Sequence, residues 1–380
     1  YSILPQHLRP EELVGGNGLI SAGTFLTILL GTMLGGALMT LGASDNQIAA
    51  NGPLLASIAV IVVAVLGYVA ARGIPTAPAA SPELKFNWNM PAETIRILGF
   101  LRGNRAVLNS VLGVSWFWFF GSMFLAQLPN YTREYLGGGA QVAPLVLALF
   151  SIGIGLGSML CEKLSGRRVE IGLVPLGAIG LTVFGLDLYF ARPEAATVTG
   201  LSAIEFLRAP GSLRIVADLL LIGLFGGFYI VPLLSLIQQR APRERLSRII
   251  AANNILNALF MVTAAVMALV LFALGLSIPQ LLLVTAILNA LVAVYIFSLV
   301  PEFLMRFLSW VAIVALYRIR TVGTDRIPDE GPAVVVCNHV SYMDALVVMG
   351  CVKRPVRFVM YHKIFRIPVL SWIFRTARCI

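Results

Sequence analysis

Charge is what this chain has least of. Asp, Glu, Lys and Arg make up 12% of its 380 residues, about half the share of roughly 25% found in soluble domains. With 58% hydrophobic residues and a mean hydropathy of +0.87, the chain has too little polar surface to coat a soluble globule. A soluble enzyme is excluded, and a polytopic membrane protein with a small polar portion is expected. Histidine is also scarce, at three residues, and the four cysteines are Cys161, Cys337, Cys351 and Cys379. Their spacings match no zinc pattern and make no disulfide framework, so no metal site is expected and the cysteines read as reduced thiols. Acidic residues are the minority, 18 against 28 basic, for a net charge of +10. In a membrane protein that surplus belongs to cytoplasmic loops and anionic lipid head groups. No basic stripe lies on a soluble domain, so no nucleic-acid partner is expected.

What the chain does have is long apolar runs, at 19–42, 53–72, 106–128, 141–161, 171–191, 215–237, 251–274 and 278–300. Each is long enough to cross about 30 Å of hydrocarbon. In the first, Gly23, Gly31, Gly35 and Gly36 set small residues at the spacing that lets helices approach closely. Pro91 to Leu101 reads as an amphipathic helix lying on the membrane. Loops 1–18, 73–105, 162–170 and 238–250 carry most of the loop Lys and Arg, whereas 43–52 and 275–277 carry none. The alternation places the basic loops, and everything after residue 300, in the cytoplasm. Residues 301–318 are apolar but hold Glu302, Arg306 and Arg318, and read as an interfacial connector helix.

Ionisable and polar groups inside the runs are candidates for transport. Asp187 and Asp218 lie toward the outer ends of their runs; a functional role and a carboxylate reaching outer water are both open. Asn257 and Asn289 either line a cavity or bond helix to helix. The aromatic cluster Trp116 to Phe120 either faces acyl chains or packs.

The chain also echoes itself. Gln6 to Leu13 reads Q-H-L-R-P-E-E-L, and Gln239 to Leu246 reads Q-R-A-P-R-E-R-L; each leads into an outward-running helix. The echo aligns run 19–42 with run 251–274, the fifth of six after the basic interlude. Two halves of six joined by a basic loop resemble the major facilitator superfamily. Gly157 to Arg168 resembles its cytoplasmic gate motif, G-x-x-x-D-R-x-G-R-R, through Gly157, Glu162, Lys163, Gly166, Arg167 and Arg168, although it carries added residues and has Glu-Lys where the motif has Asp-Arg. The resemblance implies that 1–72 ends the first transporter half as helices five and six, 73–105 is the central loop, and 106–300 is the second half. It also implies four helices ahead of Tyr1. Tyr1 to Leu8 and Leu13 to Asn17 further resemble the bacterial lysophospholipid transporter branch, which some bacteria fuse to an acyltransferase and an acyl carrier protein synthetase.

The remaining signal is Val334-Val335-Val336-Cys337-Asn338-His339-Val340-Ser341-Tyr342-Met343-Asp344. Three valines read as a short buried strand that ends in a polar turn. A His followed five residues later by an Asp can fold back into an imidazole–carboxylate pair, the carboxylate fixing the tautomer of a general base. The stretch resembles the N-H-x-x-x-x-D motif of the glycerolipid acyltransferases. That resemblance implies His339 as base, Asp344 as its orienter, and Asn338, Ser341, Arg357 and Lys363 as substrate-binding residues in an α/β domain running from 321. It implies acyl-ACP or acyl-CoA as donor, with no bound cofactor. The family's later motifs are expected beyond Ile380, so these residues alone are expected to be inactive. The combined expectation is an all-α polytopic transporter with eight of twelve helices, followed by the first part of the acyltransferase domain, with 301–320 joining them. It would move lysophospholipid inward across a bacterial inner membrane and re-acylate it; the alternative is a facilitator for another amphiphile or drug.

Overall fold

The computed structural model describes residues 1–41, 51–78, 83, 87–165, 169–193, 199–323, 326–328, 331–341, 343–352, 354–368 and 370–380. The helices, in order, are α1 (Leu4–His7), α2 (Leu13–Leu41), α3 (Asn51–Ala71), α4 (Met90–Gly99), α5 (Arg105–Glu134), α6 (Val142–Ser165), α7 (Leu173–Ala191), α8 (Ala203–Arg208), α9 (Ser212–Arg240), α10 (Leu246–Ala273), α11 (Ile278–Leu299), α12 (Pro301–Leu316), α13 (Asp344–Cys351), α14 (His362–Phe365) and α15 (Leu370–Thr376). Eight of them, α2, α3, α5, α6, α7, α9, α10 and α11, are long and apolar enough to cross a membrane. They coincide with the eight apolar runs. Several extend past the runs because terminal polar groups complete the end turns. The Asn104 carboxamide, for example, accepts the N–H groups of Ala106 and Val107 at the start of α5, at 3.0 and 3.3 Å. Capping satisfies N–H groups that lack a helical partner. The surface helix α4 forms as expected, with Asn89 capping Ala92 and Glu93 paired with Arg96 at 2.6 Å.

The bundle is built around α9, which packs against α5, α6 and α7 and touches α2. Glycines permit this. A Cβ on Gly157 would run into the Leu224 carbonyl, and one on Gly223 into that of Phe150. The close approach expected of Gly23, Gly31, Gly35 and Gly36 falls here instead. No described atom lies within 4 Å of where a Cβ at any of those four would sit, because that face of α2 meets no described neighbour. Spacing alone permits close packing; a facing helix has to supply it.

The aromatic cluster is mostly packing. Phe117, Phe119 and Phe120 are buried, Phe120 stacks on Phe124 at 4.5 Å, and Trp116 stacks on Phe119 at 4.8 Å. Two of its members reach α2, where Phe25 lies parallel to Trp118 and edge-on to Phe117, both at 6.2 Å. Beside them, toward the basic end of the bundle, α2 and α9 share a buried polar junction. The Asn17 and Gln238 carboxamides bond reciprocally at 2.6 and 3.0 Å, and Asn17 also donates to Ser235 Oγ at 3.1 Å.

Beyond α11, the connector α12 has three faces. One meets the α6–α7 connection: the Arg306 guanidinium forms a buried ion pair with Glu170, and Phe303 and Phe307 close over Gly172. A second meets the C-terminal segment: Ser309 Oγ lies 3.3 Å from Met349 Sδ, and Glu302 pairs with Arg357 at 3.0 Å and Arg378 at 3.6 Å. The third leaves Leu308, Val311 and Val314 exposed. The expected valine strand is corrected. Val334 and Val336 are 91% and 87% exposed, and no strand forms among the described residues, where one isolated bridge joins Gly138 to Leu201. With no neighbouring strand in register, the valines have neither a hydrogen-bond ladder nor a sheet face to pack on.

Candidate active site and transport path

The turn between Asn338 and Asp344 is organised by one carboxylate oxygen. Asp344 opens α13, and its Oδ2 accepts the backbone N–H groups of Val340 at 2.7 Å and Ser341 at 2.9 Å while lying 3.0 Å from His339 Nδ1. The chain therefore wraps around the carboxylate, and Ser341 Oγ accepts the Met343 N–H at 3.2 Å to close the turn. These N–H groups, the Ser341 one first and Val340 next, hold the Asp344 carboxyl below its ordinary value, with a smaller contribution from His339. A carboxylate only accepts hydrogen bonds, so the neutral imidazole in this contact donates from Nδ1 and leaves the Nε2 lone pair free. The His339 side chain is 74% exposed, which leaves Nε2 open to a hydroxyl from solvent or from a lipid surface.

Asn338 opens this turn, Ser341 lies within it, and both are exposed. Arg357 sits elsewhere, in the ion pair with Glu302 of α12. Lys363 is exposed on α14.

In the helical bundle the four transport candidates part company. Asp187 is gripped by Arg214, whose Nε donates to it at 2.9 Å. Asp218 is buried, and its Oδ2 finds no hydrogen-bond partner among the described residues. Asn289 bonds three helices together: it accepts from Trp116 Nε1 on α5 and donates to the Ala178 carbonyl and Thr182 Oγ1 on α7, each at 2.9 Å. Asn257 accepts from Ser115 Oγ at 3.0 Å and lines a cavity between α2, α5, α9 and α10. Around that cavity Phe25, Phe117 and Trp118 face Ser21, Asn253 and Asn254. The cavity holds about 60 Å³, room for a few waters and far below the roughly 300–1,000 Å³ of a ligand pocket. An amphiphile fits only if the helices part.

In the gate motif, Gly157 packs on α9, and the Glu162 carboxylate lies against Gly15 of α2. Lys163 lines a groove with Arg9, Glu11 and Glu12. Gly166, Arg167 and Arg168 lie outside the described residues.

Residues 1–265 match the Major Facilitator Superfamily. The chain belongs to that superfamily. Residues 318–380 match the Acyltransferase family, so the two segments are fused in one chain, and α12 falls between the two matches. Similar curated proteins are named lysophospholipid transporter LplT. One from Klebsiella pneumoniae is 30% identical over 245 residues, which is 63% of this chain and 54% of that protein. One from Escherichia fergusonii is 31% identical over 250 residues, 64% of this chain and 55% of that protein. The chain spans about half the length of the curated relatives it matches. No solved structure matches it.

Sequence reasoning missed Asn17, Ser235 and Gln238, and it missed the pairing of Glu170 with Arg306. A signal existed for the second. Arg306 is a cation inside an apolar helix, and a buried cation needs an opposite charge nearby.

Proposed function

We propose that the facilitator helices move lysophospholipid inward across a bacterial inner membrane, and that the acyltransferase segment on the cytoplasmic side re-acylates it from an acyl thioester, acyl-ACP or acyl-CoA. The observation that carries the reading is the His339–Asp344 pair: a base with a fixed tautomer and an open nitrogen, on the same chain as helices similar to lysophospholipid transporters. His339 Nε2 takes the proton of the lysolipid hydroxyl as that oxygen attacks the thioester carbonyl. The carboxylate of Asp344 stabilises the resulting imidazolium, which then returns its proton to the departing thiolate. Exposed Asn338 and Lys363 supply polar and cationic contact for the glycerol phosphate. In the bundle, the cavity between α2, α5, α9 and α10 has aromatic walls for an acyl chain and carboxamides for a head group. Separation of α2 from α9 at the Asn17–Gln238 junction opens it to the cytoplasm.

The test uses the full-length protein. His339→Ala should abolish acylation of lysolipid supplied in detergent and leave lysolipid uptake into vesicles intact. Acylation at the parent rate would overturn the enzymatic reading. Uptake of a cationic dye with no uptake of lysolipid would overturn the transport reading.

A further inference from the structure

Arg306 stands where three parts of the molecule meet. Its Nη2 pairs with Glu170, on the connection from α6 to α7, and its Nη1 lies 3.4 Å from the carbonyl of Val352, the C-cap of α13. Both members of the pair are below 10% exposed. Glu170 is itself fixed to α7, because its Oε1 accepts the Gly172 N–H at 3.1 Å. On the other side, Gly350 of α13 abuts the backbone of Trp310, with a Cβ there falling 3.1 Å from the Trp310 Cα. Desolvation pushes the Arg306 guanidinium down to about 10, which still leaves it charged at neutral pH.

The geometry of this contact links the two activities. Glu170 is bonded to Gly172 at the start of α7, so it moves with any rearrangement of α7. Val352 caps the C-terminus of the same eight-residue helix that Asp344 begins. An eight-residue helix is rigid and about 12 Å long, so a shift at its C-terminal end carries to the Asp344 carboxylate and the imidazole bonded to it. A guanidinium can reach a carboxylate and a helix-terminal carbonyl at once through separate nitrogens; an ammonium makes one such contact less directionally. Resting on the functional reading above, we propose that Arg306 is a positioning residue that clamps the helix bearing Asp344 to Glu170 at the entry of facilitator helix α7. The state of the transporter then sets the placement of the His339–Asp344 pair.

The experiment uses the full-length protein in detergent and in proteoliposomes, with Arg306→Met and Gly172→Ala as the two breaks. Gly172→Ala forces α12 off the loop without changing any charge, because an added Cβ meets Phe307 Cβ at 2.7 Å. Spin labels at Ile171 and Leu346 report the distance across the clamp. Both variants should broaden that distance distribution and lower the kcat for acylation about 10- to 100-fold, the scale of a misplaced catalytic group. KM for lysolipid and lysolipid uptake should stay at parent values, and Arg306→Lys should fall between parent and Arg306→Met. Broadened distances with parent kcat would overturn the proposal, and so would a lowered kcat with unchanged distances. A fall in uptake equal to the fall in acylation would overturn it too, by showing general destabilisation. His339→Ala is the control that separates this from the functional reading. If His339→Ala acylates normally, the functional reading fails; if it is inactive while both clamp variants match the parent, only the clamp fails.

Discussion

The two matched segments of this chain hold their polar groups in opposite ways. In the facilitator helices, polar side chains are buried and held by partners distant in sequence: Asn17 meets Gln238 across 221 positions, and Asn289 meets Trp116 across 173. In the acyltransferase segment the chemistry is local and exposed, with His339 five positions from its partner. Long-range polar contacts in a bundle exist only once the helices have packed. A five-residue turn around a carboxylate needs no bundle. The first kind fixes which helices touch, and the second fixes one tautomer.

That contrast gives a ranked set of outcomes. The largest effect is expected at the exposed site. A positioned general base contributes about 10²–10⁴-fold, so His339→Ala should lower acylation by that factor, and Asp344→Asn, which keeps the shape and removes the charge, by about 10²-fold or more. Steady-state acylation of detergent-supplied lysolipid measures both. A loss smaller than tenfold in either would break the distinction, because the turn would then be a surface feature without a chemical role.

In the bundle, Asn17→Leu with Gln238→Leu should change lysolipid uptake several-fold and leave detergent acylation alone, since the bonds of the junction join α2 to α9 and involve no residue of the turn. Interhelical hydrogen bonds in membranes average about 0.6 kcal/mol with a maximum near 1.7. Because Asn289 makes three, Asn289→Leu should cost about 1–3 kcal/mol of bundle stability, read as a lowered midpoint of thermal unfolding in detergent. An unchanged midpoint would say that Asn289 serves the substrate and not the packing.

The smallest effect concerns pH. Asp344 is held below its ordinary value by the N–H groups of Ser341 and Val340. A depressed carboxyl keeps its contribution above its unfolded value and loses it as pH falls through the folded one. The turn should thus remain ordered at about pH 4, the ordinary carboxylate value, and open only below it. The Val340 and Ser341 amide resonances report this; loss of their hydrogen-bonded shift well above pH 4 would mean the backbone donors are not engaged.

How much of this was legible in the sequence follows the same division. The eight spans could be read because hydrocarbon demands long apolar runs, whatever packs beside them. The His339–Asp344 contact could be read because its spacing is short. The valine strand could not, since a strand is defined by its neighbour, and Val334 to Val336 have none among the described residues. Nor could the separate fates of Asn257 and Asn289. Both are carboxamides in apolar runs, and only the packing shows that one lines the cavity while the other ties α5, α7 and α11 together. The pair Glu170–Arg306 was half visible, as a cation without a partner.

The central claim is that the helices deliver what the enzyme consumes. The most direct measurement places the full-length protein in right-side-out vesicles with the acyl donor sealed inside and labelled lysolipid added only outside. The account predicts labelled diacyl phospholipid in the vesicles, its formation prevented by His339→Ala while uptake continues. Uptake without conversion in the parent protein, under conditions where lysolipid sealed inside is converted, would contradict it.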